Sequence, residues 1–201
     1  MQKITEMSKI LNGEKSELLQ KSYQKKNENN TSNDEFTIVV PVFNEQDNMP
    51  ALEEKLSAFV AKSLLDTRVL FVDDCSTDQS LERIVEICSR QKHFYYLSLD
   101  KNAGLSAALR AGIDAIKTTF VGYIDADLQT TPEDFHLLIP YIQEYELVMG
   151  IRVKRDDSFV KRVSSKVANG FRRFMTNDGV SDTGCPLKIM RTDYAKRIPF
   201  F

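Results

Sequence analysis

The sequence predicts an α/β fold, a mostly parallel central sheet with helices on both of its faces. Three observations carry that reading. From residue 36 onward, short apolar runs rich in β-branched and aromatic residues alternate with stretches whose apolar positions recur at helical spacing, the pattern of βαβ units. The apolar runs are nearly continuous, as expected of strands covered on both faces. Each run then breaks into polar, mostly acidic residues, which suits one shared sheet edge where ligands bind.

Taken in order, FTIVVPV (36–42) reads as the first strand, and Leu52, Leu56, Phe59 and Val60 mark the helix after it. RVLFVDD (68–74) is the second strand, followed by Leu81, Ile84, Val85 and Cys88 on one helical face. HFYYLSL (93–99) is the third strand, and LSAALRAGIDAI (105–116) an alanine-rich helix. TFVGYID (119–125) is the fourth strand, after which Pro132 opens a helix carrying Phe135, Leu138, Ile139 and Ile142. ELVMGI (146–151) is the fifth, and a further strand and helix start precede the terminal KRIPFF. Residues 1–35 differ: QKSYQKKNENNTSNDE is almost wholly polar and buries too little surface to offset its ordering entropy. Ile10, Leu11, Leu18 and Leu19 support a short helix before it. This segment is expected to be an extension and linker outside a main domain of 36–201.

The chain has 201 residues, 42% of them hydrophobic and 28% charged, which suits one domain with a sizeable core plus a tail. A net charge of −2 gives no overall attraction to nucleic acid, and no nucleic-acid partner is expected. Cys75, Cys88 and Cys185 are scattered, without CxxC or metal-ligand spacing, and read as free thiols in a reducing compartment. The start, MQKITEMSKILNGEK, lacks the apolar core of a signal peptide, and no run approaches a membrane span. The expected location is cytoplasmic, with membrane contact through a surface.

After the five strands stand FNEQ, DD, DKN, DAD and GIR. Neither GxGxxG nor GxxxxGK[ST] occurs, so phosphate charge is not met by a glycine-rich cradle. The pair Asp125 and Asp127 offers another route. Two carboxylates one residue apart repel unless a cation lies between them, and hard oxygen ligands suit Mg²⁺ or Mn²⁺, with substrate phosphates completing the coordination. The competing reading is a solvated turn before a helix, since Asp, Thr and Pro all suit such places. His93 and His136 stand in apolar surroundings without ligand spacing and read as structural.

TIVVPVFNEQDNMPAL, VLFVDDCSTDQS, KNAGLSAALRAGIDAI and GYIDADLQTTPEDF together resemble the family 2 inverting glycosyltransferases, most closely the dolichyl- and polyprenyl-phosphate sugar synthases. The resemblance covers about 36–195, in order and spacing. It implies a GT-A fold, a UDP- or GDP-linked sugar donor and a divalent metal. Carried over by position, Pro41, Phe43 and Glu45 line the nucleotide pocket, Asp73 and Asp74 lie near base and ribose, and Asn102 and Gly104 help close the pocket. Asp125, Ala126 and Asp127 face the nucleotide sugar, with Asp125, Asp127 and Gln129 holding the metal. Phe43 stands where Tyr is frequent and Cys75 where Gly or Asn is frequent. Pro41 also suits a strand end, and Asn102 and Gly104 a helix start. Replacing Asp73 or Glu45 is expected to weaken donor binding and to leave the ligand-free melting temperature nearly unchanged.

Residues 151–175 hold eight Lys or Arg against two Asp, with Phe159, Val163, Val167, Phe171 and Phe174 on one face. A basic amphipathic helix reads as a membrane-surface element, here through 157–175, against the alternative of a core-facing helix with a solvated basic side. In the resembling subgroup an Arg and a downstream basic–Ser pair bind the lipid phosphate, which maps to Arg152, Lys161 or Arg162, and Ser165. A phosphate acceptor is already ionised and needs no general base, whereas a saccharide hydroxyl needs one, for which Asp182 is the candidate. The expected function is therefore inverting transfer of a sugar to a polyprenyl phosphate at the inner face of the membrane, with Asp127 and Arg152 in the chemistry. Transfer to a saccharide hydroxyl with Asp182 as base is the alternative. A phospho-receiver-like module would place its acid pair after the first strand, where only Glu45 stands; a catalytically dead binder fits poorly with intact Asp125 and Asp127. Members of the subgroup often continue into membrane helices, so 36–201 reads as a GT-A domain cut short at its C-terminus or ending there naturally. No oligomeric state follows from the sequence.

Overall fold

A computed structural model describes residues 35–150, 185 and 187–199. Six strands form one sheet: β1 (Glu35–Val42), β2 (Asp66–Asp73), β3 (Phe94–Ser98), β4 (Phe120–Tyr123), β5 (Leu147–Met149) and β6 (Lys188–Arg191). Their spatial order is β3-β2-β1-β4-β6-β5. β1, β2, β3 and β4 pair in parallel, while β6 runs antiparallel to both β4 and β5. All five strands read from the sequence therefore point their carboxyl ends to one edge. The reversed β6 is wedged between the last two, a placement that no local pattern announces. β5 is shorter than the apolar run 146–151, and β1 begins at Glu35, one residue inside the expected extension. The cause lies on β2, where Arg68 bonds both Glu35 and Asp66 at the amino edge.

Both sheet faces are covered, which explains the unbroken apolar strands. On one face, α1 (Met49–Lys62) and α2 (Ser80–Arg90) join the segment after β4 in a core with Phe36, Ile38, Phe71 and Phe120. On the other, α3 (Leu105–Ala115) and α5 (Thr192–Ala195) bury Ala108, Leu109, Ile113 and Ala195 against Val39, Leu70, Val72 and Val121. The segment opened by Pro132 is not the single helix expected. It is a 3₁₀ turn (Pro132–Asp134), one α turn, α4 (Phe135–Leu138), and a second 3₁₀ turn (Ile139–Tyr141). Pro140 is the reason: it has no N–H to donate and its ring clashes with the preceding turn. The apolar spacing still does its work, because Phe135 is fully buried with its ring edge-on to Phe36 at 5.3 Å. Truncating it to alanine costs about 3–5 kcal/mol. Among the described residues no helix is long and apolar enough to cross a membrane.

Candidate functional site at the carboxyl edge of the sheet

The edge is built by strand endings. Pro41 lies fully within β1, and its backbone side facing β4 has no N–H. The β1–β4 ladder accordingly ends with Ile124 N–H on the Val39 carbonyl at 3.3 Å, whereas β1 and β2 stay joined as far as Asp74 N–H on Val42 at 2.8 Å. Freed from β1, the chain after β4 turns away carrying Asp125, Ala126 and Asp127. A proline in a central strand is tolerated because the missing donor falls where the pairing stops.

The loops after β1 and β2 clasp each other. Asn44, at φ 56°, receives the Thr77 N–H at 2.7 Å on its side-chain oxygen and gives its own N–H to Ser76 Oγ at 3.0 Å. Glu45 N–H donates to Ser80 Oγ at 2.8 Å, and Gln46 N–H to Asp78 at 3.2 Å. Gln46 returns the bond by accepting the Gln79 N–H at 2.9 Å. Burial pushes the Asp78 carboxyl up, but the bonds from Ser80 and Gln46 together hold it below its ordinary value. The Glu45 carboxylate, half-buried, accepts from Asn48 at 2.6 Å. Phe43 is left 46% exposed at the rim.

Asp73 and Asp74 are buried. Asp73 accepts the Ser76 N–H at 3.2 Å and the Ser98 hydroxyl at 3.1 Å. Asp74 grips the loop between β3 and α3: its two oxygens take the N–H groups of Ala103 and Gly104, each at 2.8 Å, while Asn102 donates to the Asp74 carbonyl at 3.2 Å. Gly104 begins α3 at φ 86°, a conformation that only glycine adopts without strain. The expectation that Asp73 is indifferent to ligand-free stability therefore has to be reversed, because both acids hold backbone groups together inside the protein.

Across the edge, Ala126 is buried, Asp125 half-buried, and Asp127 exposed. Asp127 accepts the Gln129 N–H at 3.0 Å, and between them Leu128 sits at φ 61° with its side chain packed on the core margin. Asn44, Cys75 and Leu128 are the three non-glycine residues with positive φ among those described, and each stands in a loop leaving β1, β2 or β4. Strain of this kind, about 1–2 kcal/mol per residue, gathers where loops must hold a particular shape. For a divalent cation the donor set fits one class only. Among the described residues no cluster of three His, Cys, Asp or Glu could cage an ion by itself. Asp125, Asp127 and Gln129 suit a hard cation that keeps waters or phosphate oxygens, as Mg²⁺ and Mn²⁺ do.

Lys188 is the residue the sequence reading passed over. As the first residue of β6 it pairs with Tyr123 and Met149, and its ammonium lies 3.2 Å from the Tyr123 hydroxyl. The antiparallel strand thus brings a cation to the edge where parallel strands bring their last residues. Only the strand order carries that signal. Arg152, Lys161, Arg162, Ser165, Asp182 and the basic segment 157–175 lie outside the described residues, as does the extension up to residue 34.

The family model described as glycosyl transferase family 2 matches residues 37–198, and the chain belongs to that family. It is 34% identical to an undecaprenyl-phosphate 4-deoxy-4-formamido-L-arabinose transferase of Pectobacterium atrosepticum, over 77% of this chain and 48% of the relative. The enzyme of the same name from Edwardsiella ictaluri is also 34% identical, over 80% and 50%. The chain thus spans about half the length of these relatives. Among solved structures, glucosyl-3-phosphoglycerate synthase of Mycobacterium tuberculosis, in complex with Mn²⁺ and UDP-glucose, aligns with a TM-score of 0.67 at 18% identity, covering 88% of this chain and 63% of that one. TarS of S. aureus aligns at 0.54 and 22%, covering 81% and 48%. The fold is the GT-A arrangement.

Proposed function

We propose that this family 2 glycosyltransferase chain moves a sugar, with inversion, from a nucleotide-diphosphate sugar to a polyprenyl phosphate at the inner face of a membrane. The observation that carries the reading is the pair of unlike carboxylates after β4, half-buried Asp125 and exposed Asp127, set beside two loops already locked by their own hydrogen bonds. The names of the relatives, undecaprenyl-phosphate sugar transferases, support the acceptor class.

In this reading Pro41, Phe43, Glu45, Asp73, Asp74, Asn102 and Gly104 shape the nucleotide side of the edge. Asp74 acts there by holding the 102–104 backbone, so its carboxylate orders the pocket wall. Asp125, Asp127 and Gln129 hold Mg²⁺ or Mn²⁺, which when bound supplies Lewis-acid stabilisation of the leaving diphosphate. Arg152, Lys161, Arg162 and Ser165 dock the acceptor phosphate, which attacks already ionised and needs no general base. The basic segment 157–175 attaches the chain to an anionic surface, where each Lys or Arg contributes about 1 kcal/mol. Asp182 is held in reserve for a hydroxyl acceptor.

The test is transfer itself. With Mn²⁺ or Mg²⁺ present, UDP or GDP raises the melting temperature, and a labelled sugar passes to undecaprenyl phosphate. Arg152→Ala keeps nucleotide and liposome binding and loses transfer. Nucleotide binding that is equal in EDTA and in Mn²⁺ sinks the metal assignment. Transfer by Arg152→Ala to a soluble saccharide at full rate replaces the lipid acceptor with a hydroxyl and Asp182 as base.

A further inference from the structure

Among the described residues β3 is an edge of the sheet and pairs with β2 alone. Val69 N–H bonds the His93 carbonyl and Leu99 N–H bonds the Asp73 carbonyl, so residues 93, 95, 97 and 99 turn their backbone groups inward. Phe94, Tyr96 and Ser98 turn theirs outward, and of these the Phe94 N–H is taken by Gln91. Natural edge strands are usually blunted by a lysine, a proline or a bulge. The strand FYYLS has no charge and no proline. It presents Tyr95 and Tyr96, 50% and 47% exposed, beside a groove of about 570 Å³ lined by Cys88, Arg90, Lys92 and Phe94. Tyrosine is the residue type that association surfaces favour.

Charge appears only at the two ends of the strand, and with opposite sign. Arg90 and Lys92 precede it; Asp100 follows it, with Lys101 beyond. Arg90 is already forked onto Glu53, at 2.9 and 2.6 Å. The exposed side chains of Lys92 and Asp100 have no such partner among the described residues.

We propose that β3 pairs antiparallel with β3 of a second copy of this chain, about a two-fold axis through Tyr96. In that register Tyr96 meets its own mate and exchanges both outward backbone hydrogen bonds, Phe94 meets Ser98, and at each end the turn that carries Lys92 comes to lie beside the bend that carries Asp100. The contact is isologous, as closed dimers require, and the sheet runs unbroken through both copies. Because Asp100 leads into the loop gripped by Asp74, the interface ends beside the candidate site. The inference does not depend on which sugar or acceptor the protein uses.

Sedimentation of the 201-residue chain over a concentration series is expected to show a monomer–dimer equilibrium. Tyr96→Lys, which sets like charges face to face at the axis, weakens association by about tenfold or more with an unchanged circular dichroism spectrum and melting curve. Lys92→Asp also weakens it, and Lys92→Asp combined with Asp100→Lys restores it. Tyr96→Cys under mild oxidation yields a covalent dimer, since Cα atoms about 5.5 Å apart in such a pair suit a disulfide. The parent chain is the control; burial pushes its Cys88 thiol, beside the groove, up to about 11, so that thiol stays protonated. A chain that remains monomeric, or a dimer indifferent to both Tyr96→Lys and Lys92→Asp, overturns the proposal, and so does a dimer held by another protein strand in its place.

Discussion

Asp73 and Asp74 leave β2 with 1% and 4% of their surface exposed, and every oxygen of their carboxylates accepts a bond from the protein itself. Asp127, two strands away on the same edge, stands in solvent and accepts one N–H from the turn that follows it. The contrast divides the edge by labour. On the β1–β2 side, side chains have been used up in holding loops still, so a ligand meets a surface that needs little further ordering. On the β4 side, Asp127 keeps its carboxylate exposed to solvent, where a ligand can reach it. One wall ordered in advance and a charged group left accessible on the other suit the binding of a charged ligand.

The strongest way to break this comparison is Asp127→Ala. If its oxygens serve a ligand and not the fold, metal-dependent nucleotide binding and sugar transfer fall by about a hundredfold or more, while thermal stability stays within about 0.5 kcal/mol, the usual range for an exposed site. Asp74→Ala should do the reverse. It leaves two loop N–H groups without their acceptor, and bonds to a charged group contribute about 1.5–3 kcal/mol each. A loss of about 3 kcal/mol in denaturant unfolding is expected, with donor affinity lowered through the loosened 102–104 segment. Equal stability of the Asp127 and Asp74 variants would erase the distinction drawn above.

Gly104→Ala sharpens it on a smaller scale. A Cβ at Gly104 meets nothing within 4 Å, so only its φ of 86° resists the change. The expected cost is about 1–2 kcal/mol, and faster hydrogen exchange at residues 102–104 would trace it to the loop. Asn44→Ala opens the clasp between the two loops and costs about 1 kcal/mol, read as a lower melting temperature together with a weaker donor affinity.

Acid provides the mildest probe. His136 is held below its ordinary 6.5 chiefly by burial, its ring 4.8 Å from Phe59. A depressed value means that the folded form resists the proton, so its contribution is complete above about 6.5 and fades as pH falls below that. Asp78, also depressed, contributes above the ordinary carboxylate range and is lost only at lower pH. Stability is thus expected to decline in two steps on acidification, the first without effect on the loop clasp and the second loosening it. His136→Phe should remove the first step alone in pH-dependent melting.

Much of this molecule was legible from one dimension. Val39, Leu56, Phe71 and Ile84 lie in the core because apolar periodicity is a local property of a chain, and it survives into the folded state wherever a strand or helix has a face to bury. The acids after β2 and β4 were legible too, because strand ends in a parallel sheet are the places where ligands and polar turns occur. What the chain could not state in advance was which of two similar acidic pairs would be buried. That depends on neighbours distant in sequence: Ser98 and the Ala103 and Gly104 amides close over Asp73 and Asp74, whereas Pro41 halts the ladder and lets the β4 end turn outward. Nor could it announce that β6 would enter backwards between β4 and β5 and bring Lys188 to the same edge. Burial and strand order are sums over contacts made by many separated segments, so they exist only once the chain has closed on itself.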